Sequence, residues 1–285
     1  MRRTATEDSG FTTEYQVYEP HKVGLPPLKP YMVELWRRRE FAAELSRSSM
    51  RAANTRTFFG QIWLVINPLL LAGVYYLLIS IIADRGGFDY LVHLVAGLFA
   101  FYFVTGCLTA GASSVTGGGS LVMNMSFPRL LMPLSAVRTA FFRFLPTMVV
   151  YVVIHALSGV GWSPNMLLAL AFLAMMVVFA GGMAAVFATL QVYFRDTTSF
   201  MPYFVRIWLY LSPVLWFVED VPARLEPFMV LNPLYSLLGG WSDLLVRGQV
   251  PDASVWLTAA LWSGLAAVVG SLFFLSRERE FAVRL

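Results

Sequence analysis

The sequence predicts an all-α integral membrane protein that crosses the membrane six times. Of its 285 residues, 58% are apolar and only 13% are charged, whereas a soluble domain has about 25% charged residues. Six apolar stretches each approach or exceed the roughly 20 residues that a helix needs to cross a bilayer. Basic residues are concentrated on one side of these stretches, which indicates that both chain ends are cytoplasmic. This composition excludes a soluble domain and a disordered chain.

The residues before the first apolar stretch are predicted to remain at the cytoplasmic surface. Residues 1–30 are polar and contain four prolines, so we expect a disordered tail. Residues 31–56 are predicted to form an amphipathic interface helix on the membrane surface. The residues that characterise this helix are Trp36, Arg37, Arg38 and Arg39. The alternative is a soluble helix that packs on a partner.

Residues 57–285 are predicted to form the transmembrane domain. Its spans are expected at about residues 61–82, 91–116, 139–159, 166–193, 200–218 and 253–275. Asn67-Pro68 and Ser212-Pro213 predict kinks in the first and fifth spans. If the N-terminus is inside, ten basic residues precede the first span, and the outer loops contain only three. This distribution is the positive-inside pattern, so the N-in/C-in orientation is expected.

The inner loop between the second and third spans is predicted to contain a short amphipathic helix at about residues 126–136. Pro128 stands at a favourable first helical position, and the leucines that follow give the helix an apolar side. A short helix displayed to the cytosol is suited to docking, which makes it a candidate cytoplasmic coupling helix. The residues assigned to this contact are Phe127, Pro128, Arg129, Leu130 and Leu131. The alternative is a turn that rests on lipid.

The third outer loop, residues 219–252, contains an unusually apolar segment at 227–238. This segment is too short to span a bilayer, and Asn232-Pro233 is a turn signal. We therefore predict a re-entrant helical hairpin at about residues 222–245, which must be buried in protein or line a cavity. Its candidate gate residues are Asn232, Pro233, Tyr235 and Trp241. The alternative is a plain surface loop with interfacial helices.

Several kinds of chemistry are missing from the sequence. No Gly-Lys-Ser/Thr follows the only run of three glycines, residues 117–119, so the chain is not expected to hydrolyse ATP alone. Cys107 is the only cysteine, which excludes an internal disulfide and a cysteine metal site. The predicted spans contain no Asp or Glu, which argues against a proton-coupled pump. We expect this chain to have no catalytic residue, no bound metal and no bound cofactor.

Two arginines, Arg143 and Arg206, lie inside predicted spans. A charge in hydrocarbon is costly, so it normally faces a cavity or a partner. Both could extend to the nearby interface or form structural pairs. They could also contact an anionic substrate such as a lipid pyrophosphate, which guanidinium groups bind well.

Six segments of the chain occur in a diagnostic order. They are the amphipathic segment 34–56, Asn67-Pro68-Leu69, the FPRLLMPLS stretch at 127–135, Phe194-Arg195-Asp196, Leu211-Ser212-Pro213-Val214 and Leu231-Asn232-Pro233-Leu234. With these segments on a six-span topology, residues 31–285 resemble the membrane (permease) subunit of ABC-type polysaccharide exporters, which export O-antigen, teichoic acid and related glycans. The excess of Arg over Lys and the polar N-terminal tail resemble the galactan exporters of the mycobacterial cell wall.

This resemblance implies a homodimer in the bacterial plasma membrane, paired with two copies of a cytoplasmic ATPase that carries the ATP and Mg. It also implies that the coupling helix contacts the ATPase, and that the hairpin narrows the exit. A lipid-linked polysaccharide would be the substrate, with membrane lipids as neighbours and no nucleic acid as partner. Candidates for the substrate path are Arg206, Arg143, Trp63, Tyr75, Tyr76, Phe99, Tyr102, Trp208, Tyr210 and Trp216. The aromatic residues could instead form interface belts or pack between helices.

Three other functions remain open from the sequence. The first is an ABC exporter of drugs or small lipids. The second is a membrane enzyme of glycan assembly, for which only the outer carboxylates of Glu219, Asp220 and Glu226 could serve in catalysis. The third is a structural scaffold subunit.

Overall fold

The computed structural model describes residues 24–52, 60–83, 87–222 and 224–285. Within these ranges the regular secondary structure is helical, as the sequence predicts. The α-helices are α1 Leu28–Arg37, α2 Arg39–Ala52, α3 Trp63–Ala83, α4 Phe88–Gly117, α5 Gly119–Asn124, α6 Leu131–Ser158, α7 Ala169–Tyr193, α8 Thr197–Leu211, α9 Glu226–Met229, α10 Pro233–Ser242, α11 Ala253–Arg277 and α12 Phe281–Arg284. The expected disordered tail falls on residues 1–23, outside the described part, and on residues 24–30, where α1 already begins.

Five of the described helices, α3, α4, α6, α7 and α11, are long and apolar enough to cross a membrane. Helix α4 is the centre of the bundle, because 83% of its most apolar window is buried and it packs on α3, α6, α7 and α8. Helix α3 is peripheral, since only 6% of its window is buried. We call the end that carries α1, α2, α5 and α12 the basal end, and the opposite end, with α9 and α10, the distal end.

Helices α7 and α11 form the most extensive helix pair of the bundle. The face of α11 that meets α7 consists of small residues at helical spacing, namely Ala259, Ser263, Ala266 and Gly270. The backbones of Gly182 and Gly270 are in direct contact, so a Cβ atom on either glycine would collide with main-chain atoms of the other helix. Small residues let membrane helices approach closely enough to gain van der Waals contact. This crossing therefore depends on the absence of two side chains.

The fifth predicted span, residues 200–218, does not form one continuous helix. Helix α8 has 15 residues, which is about 22 Å at 1.5 Å per residue and shorter than the hydrocarbon core. It ends at Leu211, and the chain reaches the distal end through non-helical residues 212–217. Ser212 and Val214 are fully buried, and irregular backbone at membrane depth is tolerated in that situation. Ser212-Pro213 is therefore a helix end and not only a kink.

The basal elements also differ from their predicted bounds. The interface helix begins at Leu28 and is divided at Arg38 into α1 and α2; residues 53–56 lie outside the described part. The separate coupling helix at residues 126–136 was a wrong prediction. Residues 125–130 form a non-helical turn, and residues 131–136 are the first turns of α6. The short helix of this loop is α5, which ends at Asn124.

Candidate functional site

A cavity of about 280 Å³ lies between α3, α4 and α6 in the basal half of the bundle. Its α6 wall is one helical face, formed at spacings of three and four by Ala136, Thr139, Ala140, Arg143, Phe144 and Thr147. Asn67 and Pro68 of α3 and Phe99 and Tyr102 of α4 complete it. The cavity thus joins three predicted path residues, Arg143, Phe99 and Tyr102, with the first-span Asn-Pro pair.

A second group of predicted path residues adjoins this cavity. Tyr75 of α3 and Tyr210 of α8 have interacting side chains, and Arg206 of α8 lies within electrostatic range of Tyr75 and Tyr102. The structure therefore gathers Tyr75, Tyr102, Tyr210 and Arg206 on one side of α4. Arg206 and Tyr210 are exposed there. This surface presents hydroxyl groups and one cation between otherwise apolar helices.

Four other path candidates lie elsewhere. Trp63 is half-buried at the basal start of α3. Tyr76 stacks on Tyr90 of α4, with 6.3 Å between the ring centroids. Trp208 is buried and donates a hydrogen bond to Asn232, and Trp216 donates to the Tyr210 carbonyl. The contacts described for Tyr76, Trp208 and Trp216 are thus contacts within the protein.

A larger, apolar cavity of about 680 Å³ lies between α7, α8, α11 and residues 228–233, where α9 ends and α10 begins. The indole nitrogens of its tryptophans are already engaged, because Trp208 donates to Asn232 and Trp262 donates to the Val230 carbonyl. No charged residue lines this cavity among the described residues. It can therefore offer a ligand hydrocarbon contact but no charge.

The distal end of α8 is closed by Asn232, which also begins α10. Its Oδ1 accepts from Trp208 Nε1 at 2.8 Å and from the Leu234 amide at 3.1 Å. Its Nδ2 donates to the Leu211 carbonyl at 2.8 Å, one of the carbonyls that a helix end leaves without a partner. Pro233 occupies the first helical position of α10. One amide therefore fastens the predicted outer hairpin to the end of α8.

The other predicted gate residues are tied into the bundle. Tyr235 is buried and lies 6.3 Å, centroid to centroid, from the Trp216 ring. Trp241 is buried and donates from Nε1 to the Ala96 carbonyl of α4 at 3.1 Å. Two helices, α9 and α10, lie within the predicted hairpin segment, and α10 is almost wholly buried. The alternative of a plain surface loop is thus wrong for α10.

Replacing Asn232 with alanine should destabilise the distal end. The change leaves the Trp208 indole and the Leu211 carbonyl without partners and removes the N-cap of α10. We expect a loss of at least about 2 kcal/mol in the free energy of unfolding. Unfolding in detergent with Gln249→Ala as control measures it, because Gln249 is an exposed amide at the same end. Equal losses in the two variants would show that the Asn232 network contributes nothing.

Two of the three carboxylates predicted on the outer side, those of Glu219 and Asp220, are engaged in structural contacts. Glu219 forms a two-bond ion pair with Arg247, with 2.8 Å between Nη2 and Oε2. This pair holds the pKa of the Glu219 carboxyl below its usual range, whereas burial raises the pKa of Asp243 beside it. Asp220 accepts a hydrogen bond from the Phe217 amide at 3.0 Å. Of the three candidates for an enzyme, Glu226 is the one whose carboxylate makes no hydrogen bond or ion pair among the described residues.

At the basal end, α1 and the turn at residues 125–130 both contact Glu278, which follows α11. The amide of Arg129 donates to Glu278 Oε1 at 2.6 Å, and the Arg129 guanidinium donates to the Glu278 carbonyl. Tyr31 of α1 accepts from the Leu130 amide at 3.3 Å and hydrogen-bonds to Glu278. Burial, followed by the nearby carboxylate, raises the pKa of Tyr31 far above its ordinary value, so its hydroxyl remains a neutral donor. We call Tyr31, Arg129 and Glu278 the basal clasp.

Of the predicted interface residues, Arg38 adds a further contact between α1 and the turn at residues 125–130. Arg38 forms an ion pair with Glu34 and donates to the Ser126 carbonyl at 2.6 Å. Arg39 lies 4.7 Å from the Trp36 ring centroid. Arg37, the remaining predicted interface residue, is exposed. Of the predicted coupling residues, Pro128 lies in the turn, Leu130 and Leu131 are buried, and the Phe127 ring packs on Phe41. Sequence reasoning missed Glu278, because it stands in a charged run that reads as solvated.

Comparison with known proteins shows which family this chain belongs to. Residues 39–245 match the model of the family described as ABC-2 type transporter. The chain belongs to the ABC-2 type transporter family. It is similar to an O-antigen export system permease protein RfbA of Klebsiella pneumoniae, with 27% identity over 84% of this chain and 92% of the relative. A protein of the same name from Myxococcus xanthus is 24% identical over 87% of this chain and 96% of the relative.

Membership of the ABC-2 type transporter family settles the general class. The protein is a multi-pass integral protein of the bacterial inner membrane and a transporter membrane subunit, not itself an enzyme. The family implies a separate ATPase subunit. The matched segment includes α2, the turn at residues 125–130, the basal cavity and the outer hairpin.

Proposed function

We propose that this permease is the transmembrane subunit of an ATP-driven polysaccharide exporter. The observation that carries the proposal is the near-complete coverage of the O-antigen export permeases, 92% and 96% of their lengths. A match over almost the whole relative includes the elements that transport requires and not only a shared helix pair. The basal end would then face the cytoplasm, with the turn at residues 125–130 toward the ATPase.

The proposed complex contains two copies of this chain and two copies of the ATPase. We call the surface formed by Tyr75, Tyr102 and Tyr210 beside α4 the tyrosine surface. Exposed apolar side chains on α3 and α8, such as Leu77 and Ile207, flank it. Pairing two chains through these helices would cover those side chains and enclose the surface of Tyr75, Tyr102 and Tyr210. Sugars present C–H faces and hydroxyl groups, so a path with aromatic rings and hydroxyls can hold them weakly.

The proposed substrate is a polyprenyl-pyrophosphate-linked polysaccharide that moves from the cytoplasmic side to the outer side. Galactan is the polysaccharide to test first, because the Arg-rich composition and polar N-terminal tail resemble galactan exporters. The ATPase would bind ATP and Mg, close, and shift the two bundles through the turn at residues 125–130.

Two measurements test this function. The tagged protein, purified from its host in mild detergent, should have a native mass equal to two 31.9 kDa chains plus two ATPase subunits. Vesicles that contain both subunits should move lipid-linked galactan only when ATP is present. A monomer without a nucleotide-binding partner would contradict the exporter. ATP-driven movement of small lipids without movement of glycan would instead support the small-lipid exporter.

A further inference from the structure

The basal cavity brings together polar groups from three membrane helices. Asn67 of α3, Tyr102 of α4 and Arg143 of α6 all line it. Within the described part of the chain, the side chains of these three residues make no hydrogen bond and Arg143 makes no ion pair. Polar groups at membrane depth normally find partners inside the protein. Three side chains that share one cavity without such partners are therefore suited to a ligand with hydrogen-bond acceptors and negative charge.

Arg143 and Arg138, the two arginines of α6, are both half-buried, but only Arg143 lines the cavity. The guanidinium of Arg138 lies over the Phe142 ring, 5.0 Å from the centroid, and Arg138 does not line the cavity. Arg143 has no such stacking contact among the described residues, and its helix face is the cavity wall. A guanidinium binds phosphate with paired hydrogen bonds and keeps its charge at all relevant pH values.

The depth of the cavity matches the head of a lipid. Side chains of a helix lean toward its N-terminus, and α6 begins at the basal end, so Arg143 leans toward the level of Thr139. Thr139 also lines the cavity and donates a hydrogen bond to Ser46 of α2 at 2.9 Å. Helix α2 is the amphipathic element expected at the membrane surface. The guanidinium therefore lies near the level at which lipid phosphates meet the hydrocarbon.

The size of the cavity limits what it can hold. Its volume of about 280 Å³ is at the lower end of the roughly 300–1,000 Å³ of typical ligand pockets. Such a space fits a phosphate group with the first part of what it carries, but not a whole lipid. The tails would remain in the bilayer, beside the loosely packed α3.

We propose that this cavity binds the diphosphate group of the polyprenyl carrier before export. Arg143 is the counter-ion, and Asn67 and Tyr102 donate hydrogen bonds to the phosphate oxygens or the first sugar. The identity of the lipid rests on the proposed function, whereas the recognition of a phosphate group rests on the cavity alone. Because Tyr102 also adjoins Tyr75, Tyr210 and Arg206, the first sugar would meet the tyrosine surface.

The test measures lipid binding by the full chain in nanodiscs. The probe is undecaprenyl diphosphate, with phosphatidylglycerol and phosphatidylethanolamine as competitors. We expect Arg143→Gln to weaken binding of the probe by about 10- to 100-fold, as loss of a charged hydrogen-bonding partner does. Arg143→Lys keeps the charge without the paired geometry and should lose less. Arg138→Gln is the matched control and should bind like the unchanged protein.

Two outcomes would overturn the proposal. One is binding by Arg143→Gln within twofold of the unchanged protein, or an equal loss in Arg138→Gln. The other is displacement of the probe by phosphatidylglycerol at equal concentration, which would make the cavity a general phospholipid site. A thermal unfolding measurement on each variant separates loss of binding from loss of fold. Binding that depends on Arg143 without ATP-driven glycan movement would uphold the phosphate site and overturn the exporter function.

Discussion

Replacing Gly270 with alanine should prevent α7 and α11 from packing as closely as they do. A Cβ atom on Gly270 would collide with the Cα, carbonyl carbon and carbonyl oxygen of Gly182. These are main-chain atoms, so no side-chain rotation can relieve the clash and the helices must separate. Overpacking of this kind costs about 1–3 kcal/mol, and separation would also forfeit contact along the small-residue face. Thermal unfolding of the purified protein in detergent measures the loss.

Gly264→Ala provides the control on the same helix. A Cβ atom on Gly264 would meet nothing within 4 Å, so the substitution adds no clash. Alanine favours a helix over glycine by about 1 kcal/mol, so this variant should be as stable as the unchanged protein or slightly more. If both glycine variants unfolded alike, helix propensity and not close approach would explain the effect.

The long helices were predictable from the sequence because apolar run length determines membrane insertion. The predicted starts and ends of α3 and α11 agree with the structure within a few residues. The prediction of one continuous helix for the fifth span was wrong, because the apolar composition continues unchanged past Ser212-Pro213. An apolar segment of buried, irregular backbone has the same composition as a helix. The irregular segment differs from a helix in that distant residues, above all Asn232, bind the carbonyls at the end of α8. A single sequence does not show those contacts.

Some residues of the candidate site could also be predicted from the sequence, and others could not. Arg143 could be identified because a charge inside a span is unusual on composition alone. The helix predicted at residues 126–136 was wrong, since Pro128 is equally compatible with a helix start and with the turn that the structure shows. Glu278 could not be identified. Its neighbours are charged and exposed, and its burial depends on α1 and the turn, which lie far away in sequence.

Replacing Glu278 with alanine should loosen the basal clasp and uncouple the permease from its ATPase. The substitution leaves the Arg129 amide and the Tyr31 hydroxyl without their acceptor, in a place where Glu278 is 8% exposed. Each buried polar group left unpaired costs about 1–3 kcal/mol. The turn at residues 125–130 would then be held less firmly between α1 and the end of α11.

A loosened turn transmits motion poorly, so ATP turnover should continue while glycan export falls several-fold. The ratio of glycan exported to ATP hydrolysed, measured in vesicles with both subunits, reports this effect separately from simple instability. Glu44→Ala is the control, since Glu44 lies on α2 at the same end, is exposed and pairs with Arg47 at the surface. Exposed pairs of this kind contribute about 0–1 kcal/mol. If export and ATP hydrolysis fell together in Glu278→Ala, the clasp would support the fold but not the transmission of motion.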